Sequence, residues 1–157
     1  MTDYSQLDES DRAILQQLQQ DSSISNAELA RRINLSPPAV HARVKRLEQL
    51  GFIQGYVAIL DREKLGYDML CFIQVSLSVH QPEQVTDFRR RISQMPEVLE
   101  CHHVTGSIDY LLKVAVCNRE DLQRFLMERL TPIPYIARIQ TSLVLSEIKS
   151  TTALPLR

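Results

Sequence analysis

Apolar residues along this chain keep two different periods, and the change falls shortly after residue 50. In the first third they recur three and four apart: Ile14, Leu15 and Leu18, then Leu29 and Ile33, then Val40, Val44 and Leu47. That spacing places each group on one face of a helix. From residue 71 the spacing is two, with Cys71, Ile73, Val75, Leu77 and Val79 on one side of a strand.

Polar residues punctuate the helices where their ends require it. Asp8 can cap the first helix, and Asp11 suits the positive end of the helix dipole. The second begins at Ser25, with Glu28 completing an S-x-x-E capping box. Asn34 can take the positive φ of a tight turn. Ser36 then caps a third helix whose first position is Pro37, where a missing N–H costs nothing. Gly51 is placed to end that helix in a left-handed conformation. Residues 52–60 read as a strand with a kink at Gly55. Residues 61–68 are charged, carry Gly66, and suit a connection between domains.

The remainder alternates between the two periods. After the strand at 71–79, Pro82 opens a helix lined by Val85, Phe88, Ile92 and Met95 and ended by Pro96. Residues 98–105 are a strand, Gly106-Ser107 a tight turn, and Tyr110, Leu112, Val114 and Val116 mark another strand. Leu122, Phe125, Leu126 and Leu130 line a helix closed by Pro132 and Pro134, and residues 136–148 give a last strand. The order β-α-β-β-α-β is that of the ferredoxin-like split βαβ arrangement. The expected class is α+β: a helix-turn-helix domain at 1–60, a linker at 61–70 and a ferredoxin-like βαββαβ domain at 71–157. Both helices of such a domain pack on one sheet face, and pairing of two sheets in a homodimer is one way to cover the other.

Composition adds bounds. The 157 residues sum to a net charge of −1, with 44% hydrophobic and 24% charged residues, an ordinary globular balance. The longest uncharged stretch, residues 69–82, is 14 residues long and contains Gln, Ser and His, too short and polar to cross a bilayer. Its N-terminus lacks a basic-then-apolar signal segment, and Cys71, Cys101 and Cys117 are widely spaced and odd in number. A cytoplasmic protein with reduced thiols and no membrane association is expected.

Against that neutral background the third helix stands out. Between Glu28 and Glu48 there is no acidic residue, while Arg31, Arg32, Arg43, Lys45 and Arg46 supply positive charge. With Val40, Val44 and Leu47 facing inward, Pro38, His41, Ala42 and Lys45 lie on the outer face, flanked by Ala39, Arg43 and Arg46. Short residues at the start of a helix let it approach base edges, and cations further along reach phosphates. Ser36, Pro38, Ala39, His41, Ala42, Arg43, Lys45 and Arg46 are therefore the candidate DNA contacts, and the partner is double-stranded DNA.

Other constellations are weaker. The turn Thr105-Gly106-Ser107-Ile108-Asp109-Tyr110 is read either as a hairpin whose glycine solves a backbone problem or as a cradle for an amino acid. Strand alternation puts Cys101 and His103 on one face and His102 on the other, so the three cannot share one ion, and no metal or other cofactor is expected. With four glycines there is no dinucleotide fingerprint and no Walker motif. There is no G-x-S-x-G elbow either, and no catalytic residue is assigned.

Four ordered motifs resemble the Lrp/AsnC, or feast/famine, family of transcription regulators: LDESDRAILQQLQQD at 7–21, ELARRINLSPPAVHARVKRLEQLGFIQGYVAILD at 28–61, VTGSIDYLLKV at 104–114 and EIKSTTALPL at 147–156. The resemblance covers nearly the whole chain. It implies a winged type of helix-turn-helix domain and a ferredoxin-like domain that senses an amino acid. It also implies homodimers assembling to octamers, and an effector held by Thr105, Gly106, Asp109 and Tyr110. The expectation is a sequence-specific regulator whose DNA binding or assembly responds to a small effector, an amino acid. A DNA-binding architectural factor without effector, and a ligand-binding or scaffolding domain of amino-acid metabolism, stay open as alternatives.

Overall fold

The structure is a computed structural model and describes residues 6–78 and 81–156. Val79 and His80 lie outside the described residues, as do Thr2, Asp3 and Tyr4. Two compact units emerge: residues up to Ile59 together with those from Lys149 onward, and Leu60–Ile148.

The first unit holds α1 (Glu9–Gln20), α2 (Asn26–Arg32) and α3 (Pro37–Gln49). At α1 the start is a reciprocal box: the Asp11 N–H donates to Asp8 Oδ1 at 2.8 Å, and the Asp8 N–H to Asp11 Oδ2 at 3.2 Å. At α2 only half of the expected box forms. Ser25 Oγ accepts from the Glu28 N–H at 3.2 Å, but the Glu28 carboxylate turns to Arg31 and Arg32 at 2.6 and 2.9 Å. Two guanidinium groups one turn along the same helix face compete better for that carboxylate than one backbone amide. Asn34 takes φ 55°, as the tight turn requires. Ser36 Oγ caps α3 at the Ala39 N–H, 3.4 Å away. Gly51 at φ 76° closes α3, with bonds from the Gly51 N–H to the Glu48 carbonyl and from the Phe52 N–H to the Leu47 carbonyl, both 3.0 Å.

Ile14, Leu29, Val40 and Leu47 are fully buried between the three helices, each contributing about 1.5–3 kcal/mol by the usual apolar transfer. The chain's end joins this core. Leu156 packs against it, and the Gln19 side-chain amide makes two bonds to the Leu154 backbone, donating to the carbonyl at 3.1 Å and accepting from the N–H at 2.6 Å. Residues 149–156 were expected in the second domain; they pack with the first unit. The strand expected at 52–60 has no ladder among the described residues, and Val57 and Ile59 are more than four-fifths exposed. An extended segment without a neighbouring strand has no partner for its backbone groups.

In the second unit, β1 (Met69–Leu77), α4 (Pro82–Ser93), β2 (Val98–His103), β3 (Tyr110–Val116), α5 (Arg119–Arg124) and β4 (Ile136–Leu143) follow the expected order. The sheet runs β2-β3-β1-β4, and each neighbouring pair is antiparallel. Asn118 Oδ1 caps α5 at the Asp121 N–H, 2.9 Å away. The helix then widens into a π-helical turn over Phe125–Leu130, which sequence periodicity does not register. Cys71, Ile73, Val75, Leu112 and Val114 meet Phe88, Ile92, Phe125 and Leu130 in one core, so both helices cover the same face. Opposite it lie Phe72, paired in register with Lys113 and Ser142, and Gln74, paired with Leu111 and Gln140. The final strand is shorter than expected, and Leu145 and Ile148 beyond it are over nine-tenths exposed.

Candidate nucleic-acid interface and effector site

The outer face of α3 is built as its periodicity implies. Ser36, Pro38, His41, Ala42 and Lys45 are exposed and Ala39 is half-buried, while Val40 and Leu47 hold the inner face. Asn26, the first residue of α2, approaches His41, with Nδ2 3.3 Å from Nδ1. A helix start with short side chains and no acidic group gives a backbone surface that can enter a major groove.

Arg43 and Arg46 carry a second duty that a charge count misses. Arg43 Nη1 lies 2.6 Å from Asp8 Oδ2 and 2.8 Å from Asp11 Oδ1; Arg46 Nη1 lies 3.2 Å from Asp11 Oδ2, and Nη2 donates to the Gln6 carbonyl at 2.9 Å. Asp11 has no exposed surface. A buried carboxylate is costly unless paired, and here two arginines one turn apart on α3 pair with it. They fix α3 against the start of α1. The Asp11 N–H, and then the Arg43 guanidinium, hold the Asp8 carboxyl below its ordinary value of 3.8. Arg31 and Arg32 are tied to Glu28, so the acid-free stretch of sequence is not acid-free in space. Of the five cations, Lys45 has no acidic partner among the described residues and is exposed.

The four hairpin candidates divide. Thr105 and Gly106 are exposed at the tip, Gly106 has φ 123°, and nothing lies within 4 Å of where a Cβ would sit. Asp109 is anchored: its Oδ2 accepts from the Leu77 N–H at 2.7 Å, and its own N–H donates to the Val75 carbonyl at 3.0 Å. That bond caps the end of β1 and sets where the hairpin leaves the sheet. Tyr110 is buried on the helix side, its ring centroid 4.6 Å from Phe88 and 5.0 Å from His103. The tip and the tyrosine therefore address different spaces.

Beside Tyr110, between α4 and β2, runs an open groove of about 570 Å³. Arg89, which the sequence reading did not single out, donates from Nε to the Tyr110 hydroxyl at 3.1 Å. Cys101 and His103 face this groove and Glu100 borders it, whereas His102 is not part of its lining and lies 2.9 Å from the Glu100 carboxylate. Burial pushes the Cys101 thiol up, and the nearby Arg89 charge partly opposes it. Arg89 and Ser93 stand one turn apart on α4, a spacing that could have marked them.

Comparison with known proteins places this geometry. Residues 7–54 match the model for winged helix-turn-helix DNA-binding domains, and residues 70–154 match the Lrp/AsnC ligand binding domain. The chain is 39% identical over 150 residues to the transcriptional regulator AzlB of Bacillus subtilis, covering 96% of each. It is 38% identical to the leucine-responsive regulatory protein of Escherichia coli, covering 96% of this chain and 92% of the relative. A transcriptional regulator of Neisseria meningitidis solved as its L-methionine complex superposes with a TM-score of 0.92 at 36% identity, over 95% of this chain and 96% of that one.

Proposed function

This chain belongs to the Lrp/AsnC family of DNA-binding transcriptional regulators, and on that premise we propose how it divides the work. The amino-terminal half of α3 enters the major groove, with Pro38, Ala39, His41 and Ala42 near base edges and Ser36 and Lys45 at the backbone. Arg43 and Arg46 reach phosphates only with the edges left free by Asp8 and Asp11, and act first to hold α3 in place. The observation that carries this reading is the exposed start of α3, with no acidic residue in its first turn, on a helix pinned from behind by Asp11.

The effector is an amino acid, as the names of the leucine-responsive relative and the L-methionine complex suggest. Its place is the hairpin tip, where Thr105 and the Gly106 backbone are open, with Asp109 and Tyr110 fixing the hairpin from below. Two copies pair through the helix-free sheet face bearing Phe72, and dimers assemble further to an octamer. The protein works in the cytoplasm as a regulator rather than an enzyme. Among the described residues no helix is long and apolar enough to cross a membrane.

The test is selection of bound fragments from random duplex DNA, followed by anisotropy titrations at several salt concentrations. A Lys45→Ala variant should bind all sequences more weakly, with the salt slope reduced by about one. An unchanged slope would remove Lys45 from the docking face. Calorimetry with the twenty amino acids tests the effector, and silence throughout the millimolar range would leave a DNA-binding architectural factor.

A further inference from the structure

We propose that the groove between α4 and β2 is a second ligand site, specific for a small monocarboxylate with a branched apolar tail and no ammonium group, such as a 2-oxo acid. It is separate from the hairpin tip, since neither Thr105 nor Gly106 lines it.

The anion-binding group is Arg89. Its neighbours Arg90 and Arg91 both pair with Asp87, and Arg89 has no carboxylate partner among the described residues. Its Nε is fixed by the Tyr110 hydroxyl at 3.1 Å, and its guanidinium carbon lies 5.9 Å from the centre of the Tyr110 ring. Holding Nε in this way restricts the side chain before any ligand arrives, and the terminal nitrogens supply the paired donors that a carboxylate takes. Ser93, one turn further along α4, lines the same wall, its hydroxyl donating to the Arg90 carbonyl at 2.9 Å. Ile92 and Val98 form an apolar stretch of the wall with Leu99, which is 55% exposed, and Cys101 and His103 stand beside it. The volume of about 570 Å³ lies within the range of small-molecule sites.

Charge decides the ligand class. Glu100 borders the groove, but its carboxylate is engaged by His102 Nε2 at 2.9 Å and Lys113 Nζ at 3.2 Å. Alternation along β2 puts that carboxylate on the face opposite Cys101 and His103. No acidic side chain in the groove is free to receive an ammonium, so a zwitterion would set its positive end near the Arg89 charge with nothing to offset the repulsion. A monocarboxylate carries no such group. The amino acid proposed for the hairpin and its deaminated counterpart would thus be read at two places on one domain.

Calorimetric titration of the full chain with 4-methyl-2-oxopentanoate tests this, with leucine, acetate and 3-methylbutan-1-ol as comparisons. The 2-oxo acid should bind saturably, tighter than about 10 mM for a ligand of its size. Arg89→Gln should weaken it about tenfold or more through loss of the charged fork. Leu99→Ser should weaken it severalfold while leaving acetate unaffected, and Thr105→Ala should leave it unchanged. Both side chains are exposed, so melting curves matching the parent are expected and confirm that the fold is kept. No saturable binding, an Arg89→Gln affinity equal to the parent's, or equal affinity for acetate would each overturn the proposal. Leucine binding that responds to Thr105→Ala but not to Arg89→Gln would uphold the hairpin reading whatever the groove does.

Discussion

At Asp11 a carboxylate with no exposed surface receives a backbone N–H and two guanidinium groups, and the orientation of α3 depends on it. Asp11→Ala should leave both arginines short of a partner. The expected loss is roughly 2–3 kcal/mol in urea denaturation, less than for a fully buried pair because both arginines keep solvent contact. DNA affinity should fall in the same variant even where it is fully folded. Asp8 adds a pH dependence whose sign follows from its lowered pKa. The folded protein binds this proton less readily than the unfolded chain, so the stabilisation is complete above the ordinary value of 3.8 and fades as pH drops below it. Melting temperatures of the parent and of Asp8→Asn should therefore converge on acidification below that value. A gap that persisted to pH 2 would assign the effect to something other than the charge.

Among the elements, the hairpin between β2 and β3 shows how one strand-end bond arranges a site. Asp109 holds the Leu77 N–H, which leaves Gly106 at φ 123° at an open tip. Gly106→Ala meets no atom, so its cost is conformational, about 1 kcal/mol or somewhat more for a side chain at positive φ. Chemical denaturation should register that loss, and amino-acid binding at the tip should weaken with it. The segment after α3 is tied by a different contact: the Tyr56 hydroxyl donates to Glu48 Oε1 at 2.9 Å, and partial burial followed by that bond pushes its pKa up to about 12. Beyond Tyr56 the exposed Val57 and Ile59 join no strand among the described residues.

For the whole molecule, the return of residues 149–156 to the first unit means that the helix-turn-helix core is completed from the far end of the chain. Truncation after Ser150 removes the Leu156 contact and the Gln19 bonds to Leu154, and should destabilise that unit by about 1–2 kcal/mol. Circular dichroism should show its melting fall while the sheet unit, with its separate core, holds. That connection was out of reach of local reading, because Gln19 and Leu154 stand 135 residues apart. What the sequence determined by itself came from local spacing. The apolar periods of 3.6 and 2 marked the helices and the four sheet strands, Asn34 and Gly51 the turns, and the faces of α3 followed from Val40, Val44 and Leu47; residues 52–60 carry a similar pattern and form no ladder among the described residues. Tertiary structure decided which charges are free. Arg43 and Arg46 count as cations in a string of letters, yet Asp8 and Asp11 stand beside them in space, whereas Arg89 is held by the Tyr110 hydroxyl and has no carboxylate partner among the described residues. Periodicity is a property of neighbours along the chain, whereas electrostatic pairing depends on distance through space, and only the fold sets that distance.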